Sequence, residues 1–372
     1  MAADTPDAST SLNELLGGEI FWRDNYTWLN EQGYQLRRRF SPDWVPSWKG
    51  TRKNRRDCED GGNLVNMQIN DAIHIPTGSR VALKRINTTE HPFEEDIMRH
   101  LSSEPLSKDP RNHCVPLLDV LRPPPKDATD PDVRIILVMP FMRAFDSPIF
   151  DTFGEAIECI RQLLEGLQFL HENHVAHRDL KFNNYMIAPD TMFPDGYHPL
   201  RTLLKPDLSG PAKFYTRTQR PSKYFLIDFG FSRLYDASNT SPLEITFVIG
   251  SEDYATELQN PFVTDIYYLG ELIRQVFLDG HPISTSIRGY RGFEFLRPLV
   301  NDMMQTDPAK RPKIDEVVKR FDDIANGLTT WKLRSRTSSR RANIFQDFGH
   351  FVAHWSRKIV FVAKGTPAVP HS

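Results

Sequence analysis

The stretch His177-Arg178-Asp179-Leu180-Lys181-Phe182-Asn183-Asn184 decides how the rest of this sequence is interpreted. Apolar residues recur at helical spacing in the segment before it, which predicts a buried helix ending before His174 and a loop after it. These apolar residues are Ile157, Ile160, Leu163, Leu164, Leu167, Phe169 and Leu170. A single short motif is weak by itself, so its neighbours along the chain decide what it means.

Two further motifs lie on either side of this loop. Asp228-Phe229-Gly230 follows an apolar run downstream, and Val81-Ala82-Leu83-Lys84 forms a predicted strand upstream, with a second strand expected at 135–139 and a helix at 94–101. With the pieces in this order, the sequence resembles the eukaryotic protein kinase superfamily from about residue 60 to 325. The resemblance implies an α+β fold of two lobes, a small mainly β N-lobe and a larger mainly α C-lobe.

The resemblance also implies a role for each polar residue of these motifs. Transfer of a γ-phosphoryl group needs in-line positioning and neutralisation of negative charge more than covalent help. Asp179 is expected to accept the proton of a substrate hydroxyl, and Lys181 to meet the transferring phosphate. Asn184 and Asp228 are expected to supply oxygen ligands for Mg²⁺. The implied cofactors are therefore ATP and Mg²⁺.

Nucleotide binding is assigned by the same resemblance. Lys84 is expected to hold the α- and β-phosphates with Glu94 as its partner, because apolar residues at helical spacing follow Glu94; Glu95 is the adjacent alternative. Proline at 140 retains the carbonyl that its position requires. The nucleotide is expected to contact Gly62, Ile69, Ala82, Lys84, Met139, Pro140, Met142, Met186 and Asp228, with Met139 as gatekeeper.

The predicted substrate is a protein that offers Ser or Thr hydroxyls. Lys181, in the pattern Asp-Leu-Lys-x-x-Asn, is the serine/threonine form of this loop in the superfamily. A pseudokinase acting as a nucleotide-binding or non-catalytic scaffold is the alternative. A kinase of small molecules is a weaker third interpretation, because residues 231–257 resemble a platform for protein substrates.

The glycine-rich loop that closes over the phosphates in this superfamily is degraded. Its glycines let backbone amides approach the phosphates. Counting back from Lys84 places Gly62 at the first glycine position, but Leu64 and Met67 at the other two. We expect a phosphate cover that is looser or built differently. Since the metal and base residues remain, a working or slow kinase is favoured over a pseudokinase.

A proline-rich insertion, residues 188–222, separates the two metal-binding motifs. Asp179 and Asp228 are 228 − 179 = 49 residues apart, far more than a short hairpin requires. Because Asn184 and Asp228 must share one metal site, the insertion should loop outward with little regular structure and return close to its start. Recruitment of a partner and a tolerated surface insertion both fit it.

The activation segment is expected at residues 231–254. Arg178 is the arginine that pairs with a phosphate on this segment in many relatives. We hypothesise that phosphorylation of Thr240, Ser241 or Thr246 orders the segment by charge-assisted pairing. The alternative is that these are ordinary polar loop residues.

Two structural features are expected after that segment. Ala255-Thr256-Glu257 replaces the family's Ala-Pro-Glu, and Arg311 supplies the arginine that pairs with its glutamate. Residues 265–270 resemble the start of a central buried helix.

Both ends of the chain extend beyond the expected lobes at 61–142 and 143–325. The extension at 1–60 is rich in aromatic residues, which argues against a floppy tail; packing on the main body is favoured over a docking surface for a partner.

Residues 326–372 are predicted as a basic linker, 332–341, and an amphipathic helix. Docking of that helix onto the kinase body is favoured over an anionic membrane. The helical pattern comprises Ile344, Phe345, Phe348, Phe351, Val352, Trp355 and Ile359.

Composition leads to the expectation of an intracellular protein, cytoplasmic or nuclear. A formal charge of −2 gives no global attraction to nucleic acid. Three cysteines are too few and too scattered for a disulfide framework or a metal cluster. Residues 1–10 lack the basic start and apolar run of a secretory signal, and no apolar stretch reaches the roughly eighteen residues of a membrane span.

Overall fold

The computed structural model describes residues 15–125, 134–247, 254–284, 287–341 and 344–371. Its backbone forms two compact units. Unit 1 comprises the described parts of Met1–Pro92, Leu117–Phe141 and Phe193–Phe214, and unit 2 those of Phe93–Pro116, Met142–Met192 and Tyr215–Ser372. Unit 1 is mainly β and unit 2 mainly helical, so the expected α+β class is confirmed. The limits given above for the extension, lobes and tail stay predictions.

Unit 1 is built on a five-stranded antiparallel sheet. Its strands are β1 (Tyr34–Leu36), β2 (Ile69–His74), β3 (Ser79–Asn87), β4 (Asp119–Leu121) and β5 (Arg134–Pro140), in the order β1-β2-β3-β5-β4. β3 and β5 are the two strands predicted from sequence. Ala82 pairs with Asp71 on one side and with Met139 on the other. Directly paired residues share a face, and Lys84, two residues beyond Ala82, lies on that face too.

The N-terminal extension packs against the other face of this sheet. It contributes helices α1 (Ile20–Asp24) and α2 (Tyr26–Glu31) as well as strand β1. Trp22, Leu29 and Phe40 are fully buried in one hydrophobic cluster with Val81 and Leu83, whose side chains alternate with those of the Lys84 face. The aromatic residues are therefore anchors of the main body, as the favoured interpretation predicts.

Unit 2 contains the remaining helices. They are α3 (Glu94–Ser102), α4 (Phe153–Glu172), α5 (Pro261–Ile273), α6 (Arg297–Met303), α7 (Ile314–Asn326), α8 (Thr330–Leu333) and α9 (Ile344–Ala363). The predicted helices near 94–101 and before His174 are confirmed as α3 and α4, and the predicted central helix as α5. Thr152 caps α4, its side chain accepting the backbone N–H of Glu155.

Short strands complete unit 2 and position its loops. They are β6 (Arg143–Ala144), β7 (Val175–Ala176), β8 (Tyr185–Ile187), β9 (Tyr224–Leu226), β10 (Arg233–Leu234), β11 (Glu244–Phe247) and β12 (Tyr254–Gln259). They form the sheets β6-β8-β9, β7-β10 and β11-β12. Ala255-Thr256-Glu257 lies in β12, but its side chains lie outside the described residues, so the expected pairing with Arg311 stays a prediction.

The insertion begins after β8 ends and stops before β9 begins. Tyr185 pairs with Leu226, and Ala188 N–H donates to Lys223 O over 3.0 Å, so the insertion returns close to its start as predicted. Residues 188–223, all of them described, form turns without a helix or strand. The insertion nevertheless buries side chains of its own, among them His198 in unit 1 and Arg217 in unit 2.

The C-terminal segment is attached to unit 2. The basic run predicted as a linker is bound in place, with Phe153 N–H donating to Ser335 O and Thr337 N–H donating to Asp151 O, both over 3.1 Å. The predicted helix is α9; the side chains of 344–353 lie outside the described residues.

Among the residues that the structure covers, no helix combines the length and apolar character needed to cross a membrane. All three cysteines are free and buried.

Candidate active site

The loop containing Asp179 is anchored on a buried carboxylate of α5. Asp265 is fully buried. Its two oxygens accept the backbone N–H groups of His177 and Arg178, each over 2.8 Å, and His171 Nε2 lies 3.2 Å from Oδ2. Sequence reasoning identified the helix but missed this role. A charged residue among the apolar positions of a mainly apolar helix was the signal that could have revealed it.

Three predicted site residues meet within this loop. Asn184 Nδ2 donates to both the backbone O and Oδ2 of Asp179, each over 2.8 Å. Lys181 Nζ lies 2.7 Å from Asp179 Oδ2 and has a side chain 57% exposed. The Asp179 carboxylate is therefore held in a fixed orientation beside a cation that remains open to solvent.

Asn184 and Asp228 are brought to the same end of one β-hairpin. Asn184 directly precedes β8, Asp228 follows β9, and Ile227 N–H donates to Asn184 O over 3.0 Å. Because the Asn184 amide nitrogen is engaged with Asp179, its Oδ1 is the acceptor atom left to that side chain. An amide oxygen and a carboxylate are ligands that suit Mg²⁺, so the residues present fit this ion.

His177 ties the two motifs together. Its ring is fully buried, with Nε2 3.0 Å from Ile227 O and the ring centroid 5.2 Å from that of Phe229. Ser232 Oγ donates to His177 O over 3.0 Å. The backbone of the Asp179 loop and the segment around Asp228 therefore share one buried framework.

Arg178 is already paired with a carboxylate in this structure. Its Nη1 lies 2.9 Å from Glu244 Oε2, and the guanidinium also donates to the carbonyl oxygens of Ile245, over 2.8 Å, and Phe231, over 3.3 Å. Thr240 and Ser241 are exposed, and the Thr246 side chain lies outside the described residues. The Arg178 guanidinium thus joins β11 to the segment after Asp228, and its pairing with a phosphate stays a prediction.

The residues expected to contact the nucleotide are distributed over both units. Ile69, Ala82, Lys84, Met139 and Pro140 belong to the sheet of unit 1, where Ile69 pairs directly with Lys84. Met142, Met186, Asp228 and Glu94 belong to unit 2. Glu94 is 1% exposed, whereas Glu95 forms a pair with Arg99 at 3.0 Å on the helix surface. Of the two alternatives for the helix glutamate, burial favours Glu94.

The predicted glycine loop needs a correction. The strand before β2 in the sheet is β1, so residues 37–68 connect the two strands in place of a tight turn. Gly62 follows a short turn at Glu59–Gly61, and a Cβ there would lie 2.9 Å from Leu200 Cδ1. Leu64 is buried in the hydrophobic cluster. Counting back from Lys84 failed because β1 was hidden in the aromatic extension; a nucleotide contact by Gly62 stays a prediction.

Arg37 is a residue of this region that sequence reasoning did not select. It directly follows β1, with a side chain 8% exposed, and its Nε donates to Asp71 Oδ1 over 2.8 Å. Arg80 also pairs with Asp71. Within the described residues, Nη1 and Nη2 of Arg37 have no hydrogen-bond partner. Because Asp71 pairs with Ala82, this guanidinium belongs to the sheet face that carries Lys84.

Comparison with known proteins assigns the family. The family model for the protein kinase domain matches residues 66–342 of the sequence, more than half of the chain. The chain therefore belongs to the protein kinase family. The two-lobed α+β fold expected from the resemblance is the fold of this family.

Individual relatives are distant. A Wee1-like protein kinase from Oryza sativa subsp. japonica is 29% identical over 186 residues, 46% of this chain and 29% of that protein. The liver/testis phosphorylase b kinase gamma catalytic chain of Bos taurus is 20% identical over 331 residues, 81% of this chain and 75% of that one. The Rad53 kinase domain, solved with SCD2 and AMPPNP, is 17% identical with a TM-score of 0.41, covering 69% of this chain and 86% of that one. The chain thus spans under a third of the rice kinase.

Proposed function

We propose that this chain transfers the γ-phosphoryl group of ATP to Ser or Thr hydroxyls of protein substrates. The observation that carries the proposal is the arrangement around Asp179, whose carboxylate is oriented by Asn184 and paired with Lys181. Asp179 takes up the proton of the attacking hydroxyl. Lys181, largely exposed, neutralises charge on the phosphoryl group as it moves.

The proposed cofactors are ATP and Mg²⁺, with Asn184 and Asp228 holding the ion. Bound Mg²⁺ supplies neutralisation of phosphate charge. Lys84 orients the nucleotide phosphates with Glu94 as its partner, and Glu94's burial on α3 supports that role. Arg37, with two buried amino groups that lack a partner among the described residues, supplies a phosphate contact where the family uses glycine amides.

A pseudokinase is the second candidate function, and one observation favours it. The connection at 37–68 replaces the tight turn that closes over phosphates, and the Leu200 side chain of the insertion packs 2.9 Å from the position of a Cβ on Gly62. A side chain in this position restricts the approach of Gly62 to a ligand. The intact set of Asp179, Asn184 and Asp228 supports the enzyme instead.

Phosphate transfer to a peptide array tests the proposal. Asp179→Asn should lower the rate by about 10²–10⁴-fold, the usual effect of losing a general base. Asp190→Asn, an exposed position on the insertion, is the matched control and should retain full activity. Phosphorylation confined to Tyr residues would refute the Ser/Thr assignment.

A parallel thermal melt with Mg²⁺ and nucleotide separates the two candidates. Stabilisation by nucleotide together with Asp179-dependent transfer supports the kinase. Stabilisation without any transfer indicates a nucleotide-binding pseudokinase, and the absence of both leaves a non-catalytic scaffold.

A further inference from the structure

Helices α8 and α9 of unit 2 expose a group of apolar side chains. Trp355, Ile359 and Val362 follow one another at spacings of four and three residues, so they lie along one face of α9. Ile359 is 65% exposed, Val362 57% and Trp331, on α8, 69%. Lys358 Nζ lies 4.0 Å from the Trp331 ring centroid and 4.8 Å from that of Trp355, which joins the two helices. Trp331, Trp355, Ile359 and Val362 are called the tail patch below.

The tail patch is exposed although α9 is held in place. On a neighbouring face of the helix, His354, Lys358 and Phe361 are buried. Arg357 donates to both carboxylate oxygens of Asp151, over 2.9 and 3.1 Å. The helix is therefore docked on unit 2 through one face while it directs a second apolar face to solvent. Contiguous apolar surface of this kind marks an interaction site more often than chance exposure.

The sequence around the tail patch is strongly basic. Residues 329–341 and 348–371 contain no Asp or Glu, although the whole chain carries 48 acidic against 46 basic residues. Two of the basic side chains, Arg340 and Arg357, are paired with carboxylates of unit 2. Lys332, Arg334 and Arg341 donate to backbone carbonyl groups, which leaves their charge uncompensated. Lys358 is buried. The Lys and Arg residues of these two segments are Lys332, Arg334, Arg336, Arg340, Arg341, Arg357, Lys358 and Lys364.

We propose that the tail patch binds the surface of a membrane that contains anionic lipids, with α9 lying in the plane of the interface. Trp rings and branched aliphatic side chains enter the boundary between headgroups and acyl chains, and the net positive charge of the surrounding segments attracts the anionic headgroups. The combination of two exposed Trp residues with segments free of carboxylates fits a membrane surface, where anionic headgroups cover apolar acyl chains.

A second copy of the chain fits this surface less well. A symmetric dimer places the same patch on both sides of the contact, so it brings two sets of Lys and Arg together. Like charges at an interface oppose association. Membrane binding has no such conflict, and it does not depend on kinase activity.

Sedimentation of the full chain with vesicles tests this proposal. Vesicles of phosphatidylcholine alone are compared with vesicles containing about one third phosphatidylserine at physiological salt. The wild type should bind the anionic vesicles, and Ile359→Glu should weaken that binding at least about ten-fold, because a carboxylate replaces an inserted apolar side chain. Ile283→Glu is the matched control: Ile283 is 86% exposed outside the patch, and this variant should bind as the wild type does.

Tryptophan emission locates the contact. Anionic vesicles should shift the emission of the wild type to shorter wavelength, and the double variant Trp331→Phe with Trp355→Phe should lose most of that shift. Asp179→Asn should bind vesicles like the wild type, which separates this proposal from the catalytic one. Four results overturn it: no sedimentation, equal binding to neutral vesicles, unchanged binding by Ile359→Glu, or a concentration-dependent dimer without lipid binding.

Discussion

At the residue scale, the loop containing Asp179 and the segment around Asp228 each contain a residue in a backbone conformation that its side chain disfavours. Arg178 and Asp228 have φ angles of 68° and 66°, in the left-handed region that non-glycine residues seldom occupy. Each such residue costs about 1 kcal/mol or more and persists only where its surroundings fix it. For Arg178 those surroundings are the carboxylate of Asp265 at its N–H and the pairing of its guanidinium with Glu244. Strain at these two positions fits residues whose geometry is set for chemistry.

The ion pair between Arg178 and Glu244 leads to a prediction about activation. Glu244→Gln keeps the shape of the side chain but removes its charge, so β11 keeps its backbone hydrogen bond to Arg178 and loses the ion pair. We expect kcat to fall about ten-fold, as for loss of a charge-assisted hydrogen bond, with a smaller change in KM for ATP. Peptide phosphorylation assays at saturating ATP measure this.

The control for that variant is a double variant in which Thr240 and Ser241 are both replaced by alanine. If Glu244 already serves as the acidic partner, this double variant keeps most of its activity, and phosphatase treatment changes little. The opposite result, an active Glu244→Gln and an inactive double-alanine variant, would show that a phosphate is the partner that matters and would support the phosphorylation hypothesis.

At the scale of elements, one arginine makes several of the contacts that attach the insertion within unit 2, beside those of Thr218 with Glu155. Arg217 is 2% exposed and donates to the carbonyl oxygens of Phe145 and Pro148, over 2.7 and 2.6 Å, and to Tyr224 Oη over 2.8 Å. It also lies over the Phe150 ring, 4.4 Å from the centroid. One side chain thus satisfies several buried acceptors, and this explains how a segment without helix or strand keeps a defined path.

Replacing Arg217 should therefore destabilise the protein well beyond an ordinary surface change. Arg217→Ala leaves buried carbonyl groups without donors, and we expect a loss of about 3 kcal/mol in the free energy of unfolding. Denaturant unfolding followed by circular dichroism measures it. Arg220→Ala, on the exposed side of the same segment, should change the stability by less than about 0.5 kcal/mol. Equal effects of the two substitutions would refute this account of the insertion.

The elements that could be predicted from sequence are those fixed by local pattern. α3, α4, β3 and β5 have apolar residues at the period of their own secondary structure, and the catalytic motifs follow them at short range. β1 could not be recognised, because a strand of three residues gains its stability from a distant partner: Leu36 pairs with Ala72. The role of Glu244 was missed for the same reason, since its contact with Arg178 joins residues far apart in sequence.

At the scale of the whole molecule, each of the two units is stabilised internally by a buried carboxylate. In unit 1, Glu19 is fully buried and accepts hydrogen bonds from Arg39 Nη2 over 2.8 Å and from the N–H of Leu64 over 3.0 Å. Burial alone raises the pKa of Glu19, but these donors outweigh it and hold the pKa below its ordinary value. In unit 2, burial likewise raises the pKa of Asp151, but the nearby His354 ring and hydrogen bonds from Arg357 outweigh it and hold the pKa below its ordinary value.

These lowered pKa values predict that acid destabilises the protein. A carboxyl whose pKa is lower in the folded state contributes stability above its unfolded pKa, and that stability is lost as the pH falls through the folded value. The unfolding midpoint should therefore fall once the pH drops below about 5, where carboxyls of the unfolded chain begin to bind protons. Thermal melts between neutral pH and pH 3 follow it.

Glu19→Gln identifies the contribution of unit 1 to this acid response. At neutral pH the variant should be less stable by about 3 kcal/mol, because the buried guanidinium of Arg39 loses its charged partner. Its melting temperature should then depend less steeply on pH, since one carboxyl with a lowered pKa is gone. Glu31→Gln, an exposed position on α2, should match the wild type at every pH. A Glu19→Gln variant with the wild-type pH slope would show that the acid response arises elsewhere, with Asp151 as the next carboxyl to replace.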